Sequence, residues 1–431
     1  EVSMKTVFTP LRGTLTVPGD KSISHRAVML GSLAKGTTRV AGFLPGADCL
    51  STIRCFRSMG TEISLDGGLV TVSGRGLRGL SAPDGVLDCG NSGTTMRIMA
   101  GILAGQAFSS VLDGDASVRR RPMERVMKPL RLMGASIKSL PGNGCAPLSV
   151  SGGPLTGIRY DSPVASAQVK SAVLMAGLYA EGQTTVTEPA LSRDHTERML
   201  REFGADVQVA LSSGGRPSVT VRRAEELTPA MVSVPGDISS AAYFLAGALM
   251  VPGSDLTLLN VGMNPTRTGI LDVVRAMGGS VEILSERPGP EPAADLRVRC
   301  APLRGTEIGG SLIPRLIDEL PVIAALACLA EGTTVIRDAA ELKVKESDRI
   351  RVMTEELSRM GARVTETPDG MVIEGGSPLH GARIDSHGDH RIAMTFSILS
   401  LLADGPVTIS DPACVNISAP SFYEDLRRVT M

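Results

Sequence analysis

Cations and small polar residues cluster in a few short stretches of this chain, at spacings that suit anion chemistry. Lys21, Ser22 and Arg26 open one apolar run, with Ser22 and Arg26 four residues apart and so on one face of a helix. In KVKESDRIR, Lys345 and Arg349 have the same spacing with Glu346 between them, which reads as a helix start where two cations bracket a carboxylate. Such a trio can hold an anion and keep an acid/base group beside it. Cys89-Gly-Asn-Ser-Gly93-Thr94-Thr95 is a run of small residues whose backbone N–H groups can approach an anion closely. Arg119-Arg120-Arg121-Pro122 adds a basic cluster, and Arg193 and Arg391 stand near the starts of further helical runs.

Each stretch also has a bland explanation. Lys-Ser can be a helix cap beside a solvated base, the glycines can be turn chemistry, and the arginines can be a solvated charge run. Glu346 and Arg349 can be a surface pair worth a few tenths of a kcal/mol. Taken together they are harder to dismiss. If Lys21, Arg26, Arg121, Arg193, Lys345, Arg349 and Arg391 converge on one cleft, they repel unless several negative charges lie between them. Each charge-assisted hydrogen bond is worth about 1.5–3 kcal/mol. The reading is therefore of polyanionic ligands, and of two rather than one.

The elements that must position these residues repeat. A helix that starts with small, polar or charged residues runs apolar, breaks at Gly and hands over to a Thr/Val-rich strand, with copies starting at Val17, Asp88, Ser162, Val234, Ile317 and Ser386. The period, roughly 70 to 80 residues, is too long for a solenoid repeat and suits a small αβ subdomain. Downstream of the first copy, Asp48–Met59 reads as a second helix, followed by strands at Thr61–Leu65 and Leu69–Val72 about the hairpin signal Asp66-Gly67-Gly68. The same grammar recurs at Met123–Met133, His195–Phe203, Arg267–Met277, Asp348–Met360 and the turn at Asp369-Gly370. A βαβαββ order follows for each unit, six times. Because VPGD occurs at Val17–Asp20 and again at Val234–Asp237, the chain is expected to form two lobes of three units, one of residues 22–234 and the other of 1–21 plus 235–431. Two strands would link them as a hinge, with the anion site in the cleft between. Helix N-termini from both lobes favour negative charge there.

Composition narrows the function classes. At 431 residues the chain is too long for one typical core. A formal net charge of -1 gives no global reason to bind nucleic acid or anionic membrane, and 3% aromatic residues without Trp offer no stacking platform for single strands. The 7 Cys are scattered singly with no C-x-x-C, which fits reduced thiols in a cytoplasm. No apolar run is long enough for a membrane span. No leader pattern is read at the N-terminus, and Glu1-Val2-Ser3 ahead of Met4 is set aside from the fold reasoning.

Three motif matches are decoys. Gly74-Arg-Gly76-Leu-Arg-Gly79 satisfies G-x-G-x-x-G, but Leu80-Ser-Ala-Pro-Asp-Gly follows where a dinucleotide site needs a helix. Gly19-Asp20-Lys21-Ser22 lacks the upstream Gly of a phosphate loop. His387 and His390 flank Asp389, but no further Cys/His cluster supports zinc; no metal is expected.

VPGDKSISHRA, GNSGTTMR, RRRPM, SAQVKSA, IDELP, KVKESDRI and GDHRIAM occur in this order over essentially the whole chain. With these motifs the chain resembles the 5-enolpyruvylshikimate-3-phosphate synthases, enolpyruvyl transferases of aromatic amino-acid synthesis. The resemblance implies an α/β (α+β) fold of two lobes, each of three βαβαββ units with helices inside and sheets outside, closing around shikimate 3-phosphate and phosphoenolpyruvate. It implies that Ser22, Arg26, Ser166, Ala167 (through its backbone), Gln168, Arg193, Asp318 and Lys345 bind shikimate 3-phosphate, with Lys21 shared between both ligands. Gly93, Arg121, Gln168, Arg349 and Arg391 would surround phosphoenolpyruvate. Asp318 and Glu346 would be the acid/base pair, with Asp318 favoured as base and Glu346 as proton donor, and Lys345 holding the hydroxyl or sharing the proton transfer. No cofactor, nucleic acid or membrane partner is implied; a cytoplasmic monomer is, with glyphosate competing beside Gly93. Departures from the pattern are Glu341 where some members carry Asn, Ile417 where some carry a late Lys, and Ala167 where others have a second Ser.

Two alternatives remain at this point. A UDP-N-acetylglucosamine enolpyruvyl transferase would be expected to carry Lys-Asn near its start and a loop Cys beside Arg, whereas this chain has Lys21-Ser22 and no Cys near Arg121. A catalytically dead repeat scaffold is disfavoured by the near-zero charge and by the presence of Asp318, Lys345 and Glu346 together.

Overall fold

Residues 9–431 are described by a computed structural model; Glu1-Val2-Ser3, set aside above, lies outside the described residues. The chain divides into two compact units, Gly19–Val234 and a second made of Pro235–Met431 with the described residues up to Pro18. The division falls after Pro18, not after Lys21. Lys21 opens the first helix of the Gly19–Val234 unit and cannot be separated from the turn it starts.

In that unit the helices are α1 (Lys21–Leu33), α2 (Ala47–Ser58), α3 (Gly93–Ala104), α4 (Glu124–Leu132), α5 (Ala167–Gly177) and α6 (His195–Glu202). In the other they are α7 (Ile238–Met250), α8 (Gly269–Ala276), α9 (Leu320–Leu329), α10 (Arg349–Arg359), α11 (His390–Leu399) and α12 (Phe422–Thr430). Long helices form the interior of each unit. Every residue of α7 is buried, as expected of a helix that is apolar or small-residue on all sides; α1 is buried from Ile23 onward, its His25 and Arg26 being hydrogen-bonded inside. α3 packs on α5, and α7, α9 and α11 pack on one another. Gly101 makes the α3–α5 approach possible: a Cβ there would lie 2.0 Å from the Ala172 carbonyl oxygen.

Sheets cover these helices. In one unit the strand orders are Met231–Ser233, Lys35–Ala41, Leu69–Arg75, Glu62–Asp66; Leu87–Asp88, Ser109–Asp113, Leu148–Ser151, Ser136–Ser139; and Arg159–Asp161, Gln183–Thr187, Pro217–Arg222, Val207–Leu211. Within each sheet the first two strands are parallel and the hairpin is antiparallel. One face of Lys35–Ala41 is solvated and the other buried, the pattern of a sheet packed on one side only. The Asp66-Gly67-Gly68 turn is as read, with both glycines at positive φ and Asp66 paired to Leu69.

The repeated VPGD marks an exchange of strands. Arg12–Thr16 precedes α1 in sequence but pairs with Asp255–Gly262 beside α7, whereas Met231–Ser233 precedes α7 and pairs with Lys35–Ala41 beside α1. Each VPGD ends in a cap: the Asp20 carboxylate accepts from the Ile23 N–H at 2.9 Å, and that of Asp237 from the Ser239 N–H at 2.8 Å.

The sixth copy departs from the expected βαβαββ order. Its sheet has two strands, Arg383–Ile384 and Thr408–Ile409. In place of a hairpin come a 3-10 segment, Pro412–Ile417, and α12, whose Phe422 sets its ring 6.0 Å from Tyr243 and 5.5 Å from Phe244 of α7. Packing of that aromatic face takes over the covering role of the missing strands.

Candidate functional site

Most of the motif residues lie at or shortly before helix starts, in both units; Arg121 instead follows the 3-10 turn Val118–Arg120. In the Gly19–Val234 unit, α1 carries Lys21, Ser22 and Arg26. The Lys21 ammonium is 3.1 Å from Asp48 Oδ2, and the nearly buried Arg26 donates to the Ser22 carbonyl at 2.9 Å, as the four-residue spacing requires. The Arg26 fork is further fixed on Thr196 Oγ1 at 2.7 Å and Ser171 Oγ at 2.8 Å, so α1, α5 and α6 set its direction jointly.

Gly93 is the first residue of α3, where Ser92 caps the Thr95 N–H. A Cβ at Gly93 would lie 3.1 Å from Arg121 Nη1 and 3.2 Å from Arg97 Nη1. Two guanidiniums thus converge on the one residue that presents no side chain. Arg121 donates to Asn91 Oδ1 at 2.7 Å and to Ser117 Oγ at 3.1 Å. The basic run is therefore not one solvated stretch: Arg119 is exposed and bonded to Asp113, while Arg121 turns inward. Arg97 Nη1 donates to Gln168 Oε1 at 2.5 Å, and Gln168 Nε2 to Thr94 Oγ1 at 2.9 Å. Ser166 caps α5, with Ala167 and Gln168 in its first turn. Arg193 is partly buried just before α6.

In the other unit Asp318 precedes α9. Its Oδ1 is 3.2 Å from both Lys345 Nζ and Arg349 Nη1. Glu346 Oε2 lies 2.7 Å from Arg349 Nη2, so one guanidinium holds both carboxylates. The sequence reading put Lys345 and Glu346 on the helix with Arg349. They lie before it, because Asp348 caps α10 and Arg349 is its first residue. Asp318, far away in sequence, joins Lys345 to Arg349, and Arg349 in turn holds Glu346.

Arg349 is fully buried. Burial alone opposes its charge, but Asp389, Glu346 and Asp318 outweigh that and raise its pKa above the ordinary arginine value. Asp389 receives Arg349 Nε at 2.8 Å and Nη2 at 3.1 Å, caps α11 through the Arg391 N–H at 2.9 Å, and accepts from Ser347 Oγ at 2.9 Å. Arg391 is likewise buried; the carboxylates of Asp318, Asp237 and Glu319 overcome the burial penalty and raise its pKa too. Burial pushes the Tyr243 hydroxyl up to about 12, so it stays a neutral phenol beside these charges.

Sequence reasoning missed several groups that orient the named ones. Arg97, Asn91 and Asp48 have no spacing signal because their partners are remote in sequence. Asp389 was seen only as a neighbour of two histidines. Arg267 donates to Asp237 Oδ1 at 3.1 Å and to Ser239 Oγ at 2.8 Å, and Ser239 donates to Glu319. Buried His25 contacts Thr52 Oγ1 at 2.7 Å, which contacts Thr95 Oγ1 at 2.7 Å, linking α1, α2 and α3; burial holds this imidazole well below its usual pKa. Of the departures, Glu341 lies in the 3-10 segment Ala340–Val344, and Ile417 packs half-buried against the unit's apolar core. Among the described residues no cluster of His, Cys, Asp and Glu could hold a metal ion, and no helix is long and apolar enough to cross a membrane.

Comparison with known proteins adds an independent line. The sequence profile of the family described as EPSP synthase (3-phosphoshikimate 1-carboxyvinyltransferase) matches residues 6–426. A 3-phosphoshikimate 1-carboxyvinyltransferase from Brevibacillus brevis is 57% identical over 97% of this chain and 98% of its own, and one from Geobacter sulfurreducens is 55% identical over 98% and 97%. A crystallised EPSP synthase from Acinetobacter baumannii superposes with a TM-score of 0.85 at 48% identity, covering 98% of this chain and 97% of that one. The enolpyruvyl transferase NikO from Streptomyces tendae, at 17% identity and a TM-score of 0.78 over 98% and 95%, shares the fold.

Proposed function

The chain belongs to the EPSP synthase (3-phosphoshikimate 1-carboxyvinyltransferase) family, and from that premise we propose that it transfers the enolpyruvyl group of phosphoenolpyruvate to the 5-hydroxyl of shikimate 3-phosphate. The observation that carries the reading is Arg349, which holds Asp318 on one arm and Glu346 on the other, with Lys345 on the same Asp318 oxygen. Addition of an alcohol across the double bond of an enol phosphate needs a base at the hydroxyl and an acid at the methylene carbon. Asp318 takes the 5-hydroxyl proton as the oxygen bonds to the central carbon of phosphoenolpyruvate, and Glu346 delivers a proton to the methylene. The tetrahedral adduct then loses a methyl proton and phosphate, restoring the double bond. Arg349 keeps the two carboxylates at fixed separation, and Lys345 pairs with the ionised Asp318 and holds the hydroxyl.

In this reading Lys21, Ser22, Arg26, Ser166, Ala167 through its backbone, Gln168 and Arg193 bind shikimate 3-phosphate together with Asp318 and Lys345. Lys21, Gly93, Arg121, Gln168, Arg349 and Arg391 receive phosphoenolpyruvate. Arg121 and Arg391 are suited to its two charged groups because buried guanidiniums bind anions with little screening. The protein works as a cytoplasmic monomer. Phosphate release from phosphoenolpyruvate, with shikimate 3-phosphate and UDP-N-acetylglucosamine compared as acceptors, tests the activity; release with the second acceptor alone would overturn it.

A further inference from the structure

Beneath the start of α5 lies an ion cluster that the chemistry above does not use. Lys170 Nζ is 2.9 Å from Glu188 Oε2 and 2.7 Å from Glu197 Oε1, and the three side chains are 1–2% exposed. Ion groups buried this deeply cost several kcal/mol each before pairing, and an apolar filling of the same volume would often be as stable. Stability alone therefore does not account for them.

The bonds of Glu188 do. Its Oε1 accepts from the Ser166 N–H at 3.0 Å; its Oε2 accepts from Ser192 Oγ at 2.9 Å and from the Ser192 N–H at 3.4 Å. The N–H of a capping residue is commonly satisfied by Glu or Gln at the third helical position. In α5 that position is Val169, which cannot serve, and Glu188 supplies the acceptor from a neighbouring loop instead. The same carboxylate holds Ser192, whose carbonyl also accepts from Lys170 at 3.4 Å, and Ser192 is bonded directly to Arg193. Glu197, in the first turn of α6, completes the tie through Lys170.

We propose that Glu188, anchored by Lys170 and Glu197, is a positioning residue that sets the distance between the Ser166–Gln168 turn and Arg193, and thereby the fit of the phosphorylated acceptor. The inference rests on the assignment of those residues to shikimate 3-phosphate. Charge and geometry make opposite demands, which gives the test its power. The cluster carries one positive and two negative charges, so neutralising Glu188 would by field alone favour an anion nearby. Losing the tie would do the reverse.

In Glu188→Gln, the amide N–H2 confronts Lys170 and Ser192, while Lys170 and Glu197 remain as a matched pair. The expected result is a KM for shikimate 3-phosphate raised about tenfold, with the KM for phosphoenolpyruvate within about twofold and kcat within about threefold of the parent. Ser192→Ala, which removes one bond and leaves the ion pairs intact, is expected to raise the same KM about threefold, and it decides the matter if Glu188→Gln does not fold. An unchanged or lowered KM for shikimate 3-phosphate, or equal rises for both substrates, overturns the proposal. A parent enzyme inactive with shikimate 3-phosphate would sink the activity and this inference together. An active parent in which Arg193→Ala leaves that KM unmoved would sink the site assignment beneath the inference.

Discussion

Arg349 and Asp389 form a two-bond pair inside the Pro235–Met431 unit, Nε and Nη2 of the guanidinium reaching the two carboxylate oxygens at 2.8 and 3.1 Å. Both side chains are at most 1% exposed. Removing one partner of such a pair strands the other in a medium that solvates charge poorly, which typically costs about 3–5 kcal/mol. Asp389→Ala should therefore lower the unfolding free energy by about that amount, read from urea titration. Asp389→Asn keeps an α11 cap and should lose less. Equal, small losses in both variants would show that Arg349 is held mainly by Asp318 and Glu346.

Asp318→Ala and Glu346→Ala should each reduce kcat by about two or more orders of magnitude, the scale of a lost acid or base group. Neither residue is deeply enclosed in the apolar core, so both proteins should stay folded. Steady-state phosphate release checks this, and a near-normal rate in either variant removes that residue from proton transfer.

Gly93 is the first residue of α3 and is not among the positive-φ glycines, so an alanine suits the backbone and Gly93→Ala should not destabilise the protein. The added methyl instead displaces Arg121 and Arg97 by a few tenths of an ångström. The KM for phosphoenolpyruvate should rise and inhibition by glyphosate should weaken strongly. Unaltered inhibition would place the phosphoenolpyruvate site elsewhere.

Burial raises the Glu197 pKa above its ordinary value of 4.5, with Lys170 opposing the rise. A carboxyl whose folded pKa is raised contributes stability that is present below its unfolded pKa and lost as pH rises through the folded one. Relative to the parent, Glu197→Gln should thus gain stability as pH rises from about 4 into and beyond that raised value. Parallel unfolding free energies for the two proteins across this range would refute the sign.

Much of the architecture could be read from the chain because it rests on local rules. Apolar spacing and terminal Gly marked the interior helices, Asp66-Gly67-Gly68 marked a hairpin, and the repeated VPGD marked two halves. The sixth unit escaped this reading: the residues after Ser386 begin as in the other copies, and only the docking of Phe422 on α7 replaces the hairpin. Charged motifs at helix starts were equally visible, since capping and anion binding are set by the first turn itself.

Partners were a different matter. The sequence by itself determined which residue types stand at the helix starts, because side-chain chemistry and the helical period are properties of short stretches. Tertiary structure alone decided that Arg349 grips Asp318 and Asp389, that Arg97 and Arg121 close over Gly93, and that Glu188 reaches Ser166. These contacts join residues from different elements, and a hydrogen bond depends on the position of its atoms in space, which sequence spacing does not encode.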